Sequence, residues 1–298
     1  VSEQFTEVRG IRIAYETFGD RSAQPLLLIF GMNGQMIWWN DDFCRQLVDL
    51  GFFVIRFDNR DSGRSQDVGG SPRVWRSVLR LTSPRYTVAD LSDDAVGVLD
   101  AVGVQSAHVV GLSMGAMIAQ TVAIRYRRRV RSMTSIMGTT GRLTVGTPTK
   151  LSVLPAVFGR FPTERNATIE RTMVMLRALA GTKVPFDEDG MRDLVSRSAD
   201  RGINPAGSRR QLAAVLTQPD RTRALHKIDI PTLVIHGTAD PLIGISGGRA
   251  TAETIPGARL LAIDGMGHDL PRYTWDEIIA GIAATADLGE QQRNRASS

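Results

Sequence analysis

The sequence predicts an α/β protein: a mostly parallel, eight-stranded sheet with helices on both faces and a helical cap inserted before the last two strands. Three observations predict it. Short β-rich apolar runs alternate with segments of helical period, and the links between them are short, so right-handed crossovers leave a parallel sheet covered on both sides. Residues 141–207 carry helical spacing, arginine, methionine and proline turns, and no convincing strand. A chain of 298 residues with 42% hydrophobic and 22% charged residues can bury a sizeable core, which excludes whole-chain disorder and fibrous classes.

In chain order, Val8 and Ile11–Tyr15 read as early antiparallel strands, and Leu26–Phe30 as a buried strand ended by Gly31. A helix over about 41–50 leads to the strand Phe53–Phe57 and a turn-rich D-N-R-D-S-G-R-S. Thr87 with Asp90 three residues on forms a capping box for a helix to about Ala101. Ala107–Leu112 is the next strand, Met114–Tyr126 a helix and Val130–Met137 a strand. The alternation resumes with Thr232–His236, a helix near 246–255, Arg259–Ile263 and a closing helix near 273–286. The domain reading is a core of 1–140 and 208–290, a cap of 141–207, and a polar, frayed tail of 291–298.

Residues Ala101–Ile124 lack charge and match a membrane span in length, but polar residues interrupt them and the pattern changes midway from strand to helix. The acidic N-terminus does not read as a secretory signal. A cytoplasmic protein is the expectation, and the single Cys44 fits a reducing compartment. The net charge is +5, with 33 arginines against Lys150, Lys183 and Lys227. The arginines are scattered among acids and accompany no nucleic-acid-binding motif, so no nucleic-acid partner is expected.

The pattern G-x-S-x-G occurs twice. At 244–248 no strand leads into it, and Ser246 reads as a helix N-cap. At Gly111-Leu112-Ser113-Met114-Gly115 it joins an apolar strand to a helix, the elbow that would expose a nucleophilic hydroxyl above the sheet edge. Such a serine needs a histidine held by a carboxylate. Of four histidines, His108 begins the strand below the elbow, His226 lies in a linker and His236 lies within a strand. His268 follows G-M-G in a loop at the carboxyl edge and is the candidate base. Asp240, just past the Thr232 strand, is the candidate acid, with Asp58 its competitor. Asp58 reads better as bracing its turn through Arg60, and Asp269 as a solvated loop residue. The amides of Met32, in F-G-M-N-G, and Met114 are the candidate oxyanion donors.

Together these motifs, with R-F-D-N-R-D-S-G-R-S, P-T-L-V-I-H-G-T-A-D-P and I-D-G-M-G-H-D-L-P, resemble the α/β-hydrolase superfamily over residues 5–288. Within it they look most like the aclacinomycin methylesterase-like serine esterases. The resemblance implies the α/β-hydrolase fold, Ser113 as nucleophile, His268 as base, Asp240 as its acid, and Met32 and Met114 as oxyanion donors. Phe30-Gly31 stands where many members have His-Gly. The resulting expectation is a serine hydrolase that cleaves a hydrophobic carboxylic ester through an acyl-enzyme, with no cofactor and no metal. Carbon–carbon hydrolysis, thioester cleavage and perhydrolysis on the same triad remain open, as does a catalytically silent binding protein.

Gly31, Trp38 and Met137 fall on segments that converge on the expected substrate pocket. Core packing is an equal reading for Met137, and only one of Trp38 and Trp39 can face inward. Residues 72–86 place Val74, Trp75, Val78 and Leu79 on one helical face with Arg73, Arg76 and Arg80 opposite. That segment reads either as a packed accessory helix or as a weak contact with lipid or micellar surfaces.

Overall fold

In the computed structural model, which describes residues 2–70 and 73–297, eight strands form one sheet in the order β1-β2-β4-β3-β5-β6-β7-β8. They are β1 (Gln4–Val8), β2 (Ile11–Phe18), β3 (Gln24–Ile29), β4 (Phe52–Phe57), β5 (Ala107–Leu112), β6 (Val130–Ile136), β7 (Thr232–Gly237) and β8 (Arg259–Ile263). Among the described residues only β1·β2 and β2·β4 pair antiparallel, so the sheet is mostly parallel. Alternation along each central strand feeds two cores. Leu27, Ile29, Phe53, Ile55 and Val109 pack on one face beneath α3 (Val88–Ala101) and α4 (Met114–Arg125). Leu26, Leu28, Val54, Val110 and Leu112 pack on the other, beneath α1 (Asp41–Asp49) and α11 (Trp275–Ser297). α3 starts at the expected capping box: the Asp90 amide donates to Thr87 Oγ1 and the Thr87 amide donates to Asp90 Oδ2.

Between β6 and β7 lie α5 (Val153–Phe158), α6 (Arg165–Leu179), α7 (Glu188–Arg201), α8 (Pro205–Leu216) and α9 (Thr222–Leu225), and α10 (Ser246–Thr254) follows β7. α5, α6 and α7 build a third core around Val157, Ile169, Met173, Leu176 and Val195. The expected boundary at 207 falls inside α8, whose N-cap is Asn204, so a division there would cut a helix. The tail differs from expectation: α11 continues to Ser297, and Gln292 Nε2 donates to the Asp229 carbonyl at 2.9 Å. Ser246 also differs. It is the first residue of α10 rather than its N-cap, and its hydroxyl accepts from the Gly146 amide at 3.0 Å. Among the described residues, no helix is long and apolar enough to cross a membrane.

Of residues 72–86, Pro72 lies outside the described residues. The rest includes the short α2 (Val74–Val78), which packs against α8, and its faces differ from the expected ones. Ser77 is buried and Val74 half-buried, whereas Trp75, Val78 and Leu79 are exposed, as are Arg73 and Arg80, with Arg76 half-buried.

Candidate active site

Ser113 follows β5 directly and begins the turn into α4, with φ 56° and ψ −117°, a sparsely populated conformation for a residue with a Cβ. The flanking glycines make this turn buildable. A Cβ on Gly111 would lie 2.1 Å from the Gly115 carbonyl oxygen, and one on Gly115 would lie 2.1 Å from the Ile29 oxygen. The α4 N-terminus can therefore approach β5 and β3 only without side chains at these two positions. The Ser113 amide donates to the Ile136 carbonyl at 2.9 Å, which ties the strained turn to β6.

His268 Nε2 lies 2.9 Å from Ser113 Oγ, and its Nδ1 lies 2.7 Å from Asp240 Oδ2. Asp240 is 1% exposed and His268 8%. A carboxylate only accepts, so the Asp240 contact places the imidazole proton on Nδ1 and leaves Nε2 free to accept from the serine hydroxyl. The other Asp240 oxygen accepts from the Leu242 and Ile243 amides at 2.9 and 2.8 Å. The structure thus brings together the three residues selected from the sequence. The remaining histidines stand apart from the serine. His108 is buried with Nδ1 2.9 Å from Ser132 Oγ, and His226 is exposed. Buried His236, its pKa lowered by burial, lies 2.7 Å from the Ile243 carbonyl and holds the turn that carries Asp240.

The loop after β3 passes over the serine: a Cβ on Gly31 would lie 3.1 Å from Ser113 Cβ. Among the described residues, the Met32 and Met114 amides have no acceptor within the protein. That loop is pinned from three sides. The Asn33 amide donates to Gln211 Oε1 at 2.9 Å, Gln35 Nε2 donates to the Ser198 carbonyl at 2.8 Å, and the Met36 amide donates to Asp58 Oδ1 at 2.6 Å. Sequence reasoning missed Gln35, Gln211 and Arg201 in this role. Asp58 does brace its turn, but Arg60 pairs with Asp94, and the cation on Asp58 is Arg201 at the end of α7. Burial pushes the Asp58 carboxyl up despite that partner.

A cavity of about 210 Å³ opens on Ser113 and His268. Gly31 and Trp38 line it as expected, together with Met175, Leu176 and Leu179 from α6 and Met191, Leu194 and Val195 from α7. Met137 is corrected: it is fully buried in the core beneath α1 and α11, because the backbone turns at φ 51° after β6 and its amide bonds to the Ile235 carbonyl. Trp39 is also fully buried, which leaves Trp38 as the inward-facing tryptophan. Asp269 is corrected as well. It lines the cavity, and its carboxylate accepts from the Gly181 and Gly267 amides at 3.3 and 3.1 Å. Burial raises its pKa. Among the described residues, no lysine, arginine or glutamate lines the cavity.

Residues 24–271 match the family model described as the alpha/beta hydrolase fold. Among curated proteins, the chain is 33% identical to the rhodomycin D methylesterase DauP of Streptomyces sp. (strain C5) and to the rhodomycin D methylesterase DnrP of Streptomyces peucetius, in each case over 90% of this chain and 93% of the relative. Among solved structures, the esterase RhEst1 from Rhodococcus sp. ECU1013 superposes with a TM-score of 0.73 at 21% identity, covering 96% of this chain and 100% of the other. The esterase EaEST from Exiguobacterium antarcticum superposes at 0.74 and 18%, with the same coverage.

Proposed function

Because the chain belongs to the α/β-hydrolase fold family, we propose that it is a serine ester hydrolase whose triad is Ser113, His268 and Asp240 and whose substrate is a hydrophobic carboxylic ester. The observation that carries this reading is the continuous hydrogen-bond relay from Asp240 through His268 to Ser113 at the edge of an apolar cavity. Ser113 Oγ attacks the ester carbonyl while His268 Nε2 takes its proton, and Asp240 stabilises the imidazolium that forms. The Met32 and Met114 amides receive the oxyanion, aided by the positive end of α4. Collapse of the tetrahedral intermediate breaks the ester C–O bond, and His268 returns the proton to the leaving alcohol. Water, deprotonated by His268, then releases the acid from Ser113.

Lining chemistry favours a neutral acyl group. A carboxylate-bearing substrate would leave its charge in an apolar cavity that offers no cationic side chain, beside Asp269. Likeness to two rhodomycin D methylesterases, together with the apolar lining, makes a methyl ester of a hydrophobic acid the substrate class to test. Methanol release should be measured from matched methyl esters of a neutral aromatic acid and of a dicarboxylic acid. The neutral ester should be preferred in kcat/KM by at least about a hundredfold, the cost of a few kcal/mol for an unpaired buried charge. Equal turnover of the anionic ester would contradict the assignment.

A further inference from the structure

Residues 68–89 contain no acidic residue and four arginines, Arg73, Arg76, Arg80 and Arg85. Elsewhere many surface arginines face acids: Arg127 faces Asp229, Arg165 faces Asp200, Arg177 faces Glu188 and Arg192 faces Glu170. Here, among the described residues, no acid pairs with any of the four. The same segment concentrates exposed apolar side chains, with Trp75 56%, Val78 46%, Leu79 63% and Leu81 58% exposed. Arg76 lies over the Trp75 ring at 5.8 Å, so cation and indole share one surface. α2 anchors this surface by turning Ser77 and Val74 inward and packing on α8, the helix whose Pro205 and Ser208 line the cavity.

From this arrangement we infer that residues 73–85 form a docking surface for anionic phospholipid, with Trp75, Val78, Leu79 and Leu81 entering the interface and the arginines meeting the headgroups. Apolar side chains ringed by unpaired cations suit a surface that is at once negative and oily, whereas a protein partner of ordinary composition supplies only part of that complement. The burial of Ser77 keeps the exposed ridge continuous. A surface of this kind one helix from the cavity brings the enzyme to where a hydrophobic ester partitions. The binding itself rests on exposure and charge and stands independently of the esterase reading.

The test is co-flotation of the full chain with vesicles of phosphatidylcholine alone and of phosphatidylcholine mixed with phosphatidylglycerol, at low and high salt. Wild-type protein should float with the mixed vesicles at low salt, and binding should weaken at high salt. Trp75→Ser with Leu79→Ser should weaken it at least about tenfold, and each of Arg73→Gln, Arg80→Gln and Arg85→Gln by about fivefold. Retained hydrolysis of a short soluble ester and an unchanged circular dichroism spectrum establish that the variants fold. Absence of wild-type flotation with mixed vesicles, equal binding to the neutral vesicles, or unchanged binding in the variants would overturn the inference. So would a dimer, or a complex with RNA, that the same substitutions abolish while vesicle binding is absent.

Discussion

His108 shows how one side chain's placement decides its chemistry. It lies near the start of β5, the strand that leads to Ser113, and is 1% exposed; burial lowers its pKa to about 4, with Glu290 at 3.3 Å opposing that shift only in part. The unfolded chain takes up the proton near the ordinary imidazole value of 6.5, before the folded chain does, so this residue lowers stability as pH falls from 6.5 toward 4. Between pH 7 and pH 5 the loss is about 2 kcal/mol at about 1.4 kcal/mol per pKa unit. His108→Asn should remove that part of the acid-side decline in urea unfolding; an unchanged slope would show that His108 does not titrate in this way. The meeting of Ser113, His268 and Asp240 was readable because each directly follows a strand or sits in a loop at the same sheet edge, a placement fixed by parallel topology. Asp269 was not readable as a half-buried, hydrogen-bonded residue, because one of its partners is Gly181, 88 residues away. Met137 was misread because proximity to the sheet edge says nothing of side-chain direction once the backbone turns to positive φ.

At the scale of elements, the histidine loop after β8 and the end of α6 are zipped together. The His268 amide donates to the Leu179 carbonyl at 2.8 Å, the Thr182 amide to the Gly265 carbonyl at 2.9 Å, and the Gly181 amide to Asp269. The backbones meet so closely that a Cβ on Gly181 would lie 2.3 Å from the Gly265 oxygen, and one on Gly267 would lie 2.3 Å from the Leu179 oxygen. Any shift of α6 therefore reaches His268 through main-chain bonds. Gly181→Ala should cost about 1–3 kcal/mol in thermal or urea unfolding by overpacking, and should lower kcat/KM at least about tenfold by displacing the imidazole. Full activity in a folded Gly181→Ala protein would show that the zipper does not position the base. Strands and core helices were legible from period and caps, as the Thr87 capping box illustrates. The zipper was not, because two of its three contacts run between backbones and the third reaches Asp269 from a glycine 88 residues away, which leaves no side-chain pattern beyond scattered glycines.

Across the whole molecule, a sheet edge carries Ser113, Asp240 and His268, while α6 and α7 supply most of the apolar wall above them. The order of serine, acid and histidine and the long helical stretch before β7 made this division legible. Beyond Gly31 and Trp38 the cavity lining was not, since it depends on how α6 and α7 lie over the loop after β3. The arginine excess, which first invites a nucleic-acid reading, divides among the described residues into surface ion pairs, scattered exposed arginines such as Arg160 and Arg209 that face no acid, and the segment on α2 and the turn after it, where four further arginines that face no acid sit among exposed apolar side chains. The central claim is that Ser113 forms a covalent acyl intermediate with His268 and Asp240 as its relay. Intact-protein and peptide mass spectrometry after treatment with a fluorophosphonate tests it most directly. A single adduct on the Ser113 peptide, absent in Ser113→Ala and retained in Ser246→Ala, is the predicted result. An unlabelled wild type, or a label that persists in Ser113→Ala, would contradict it.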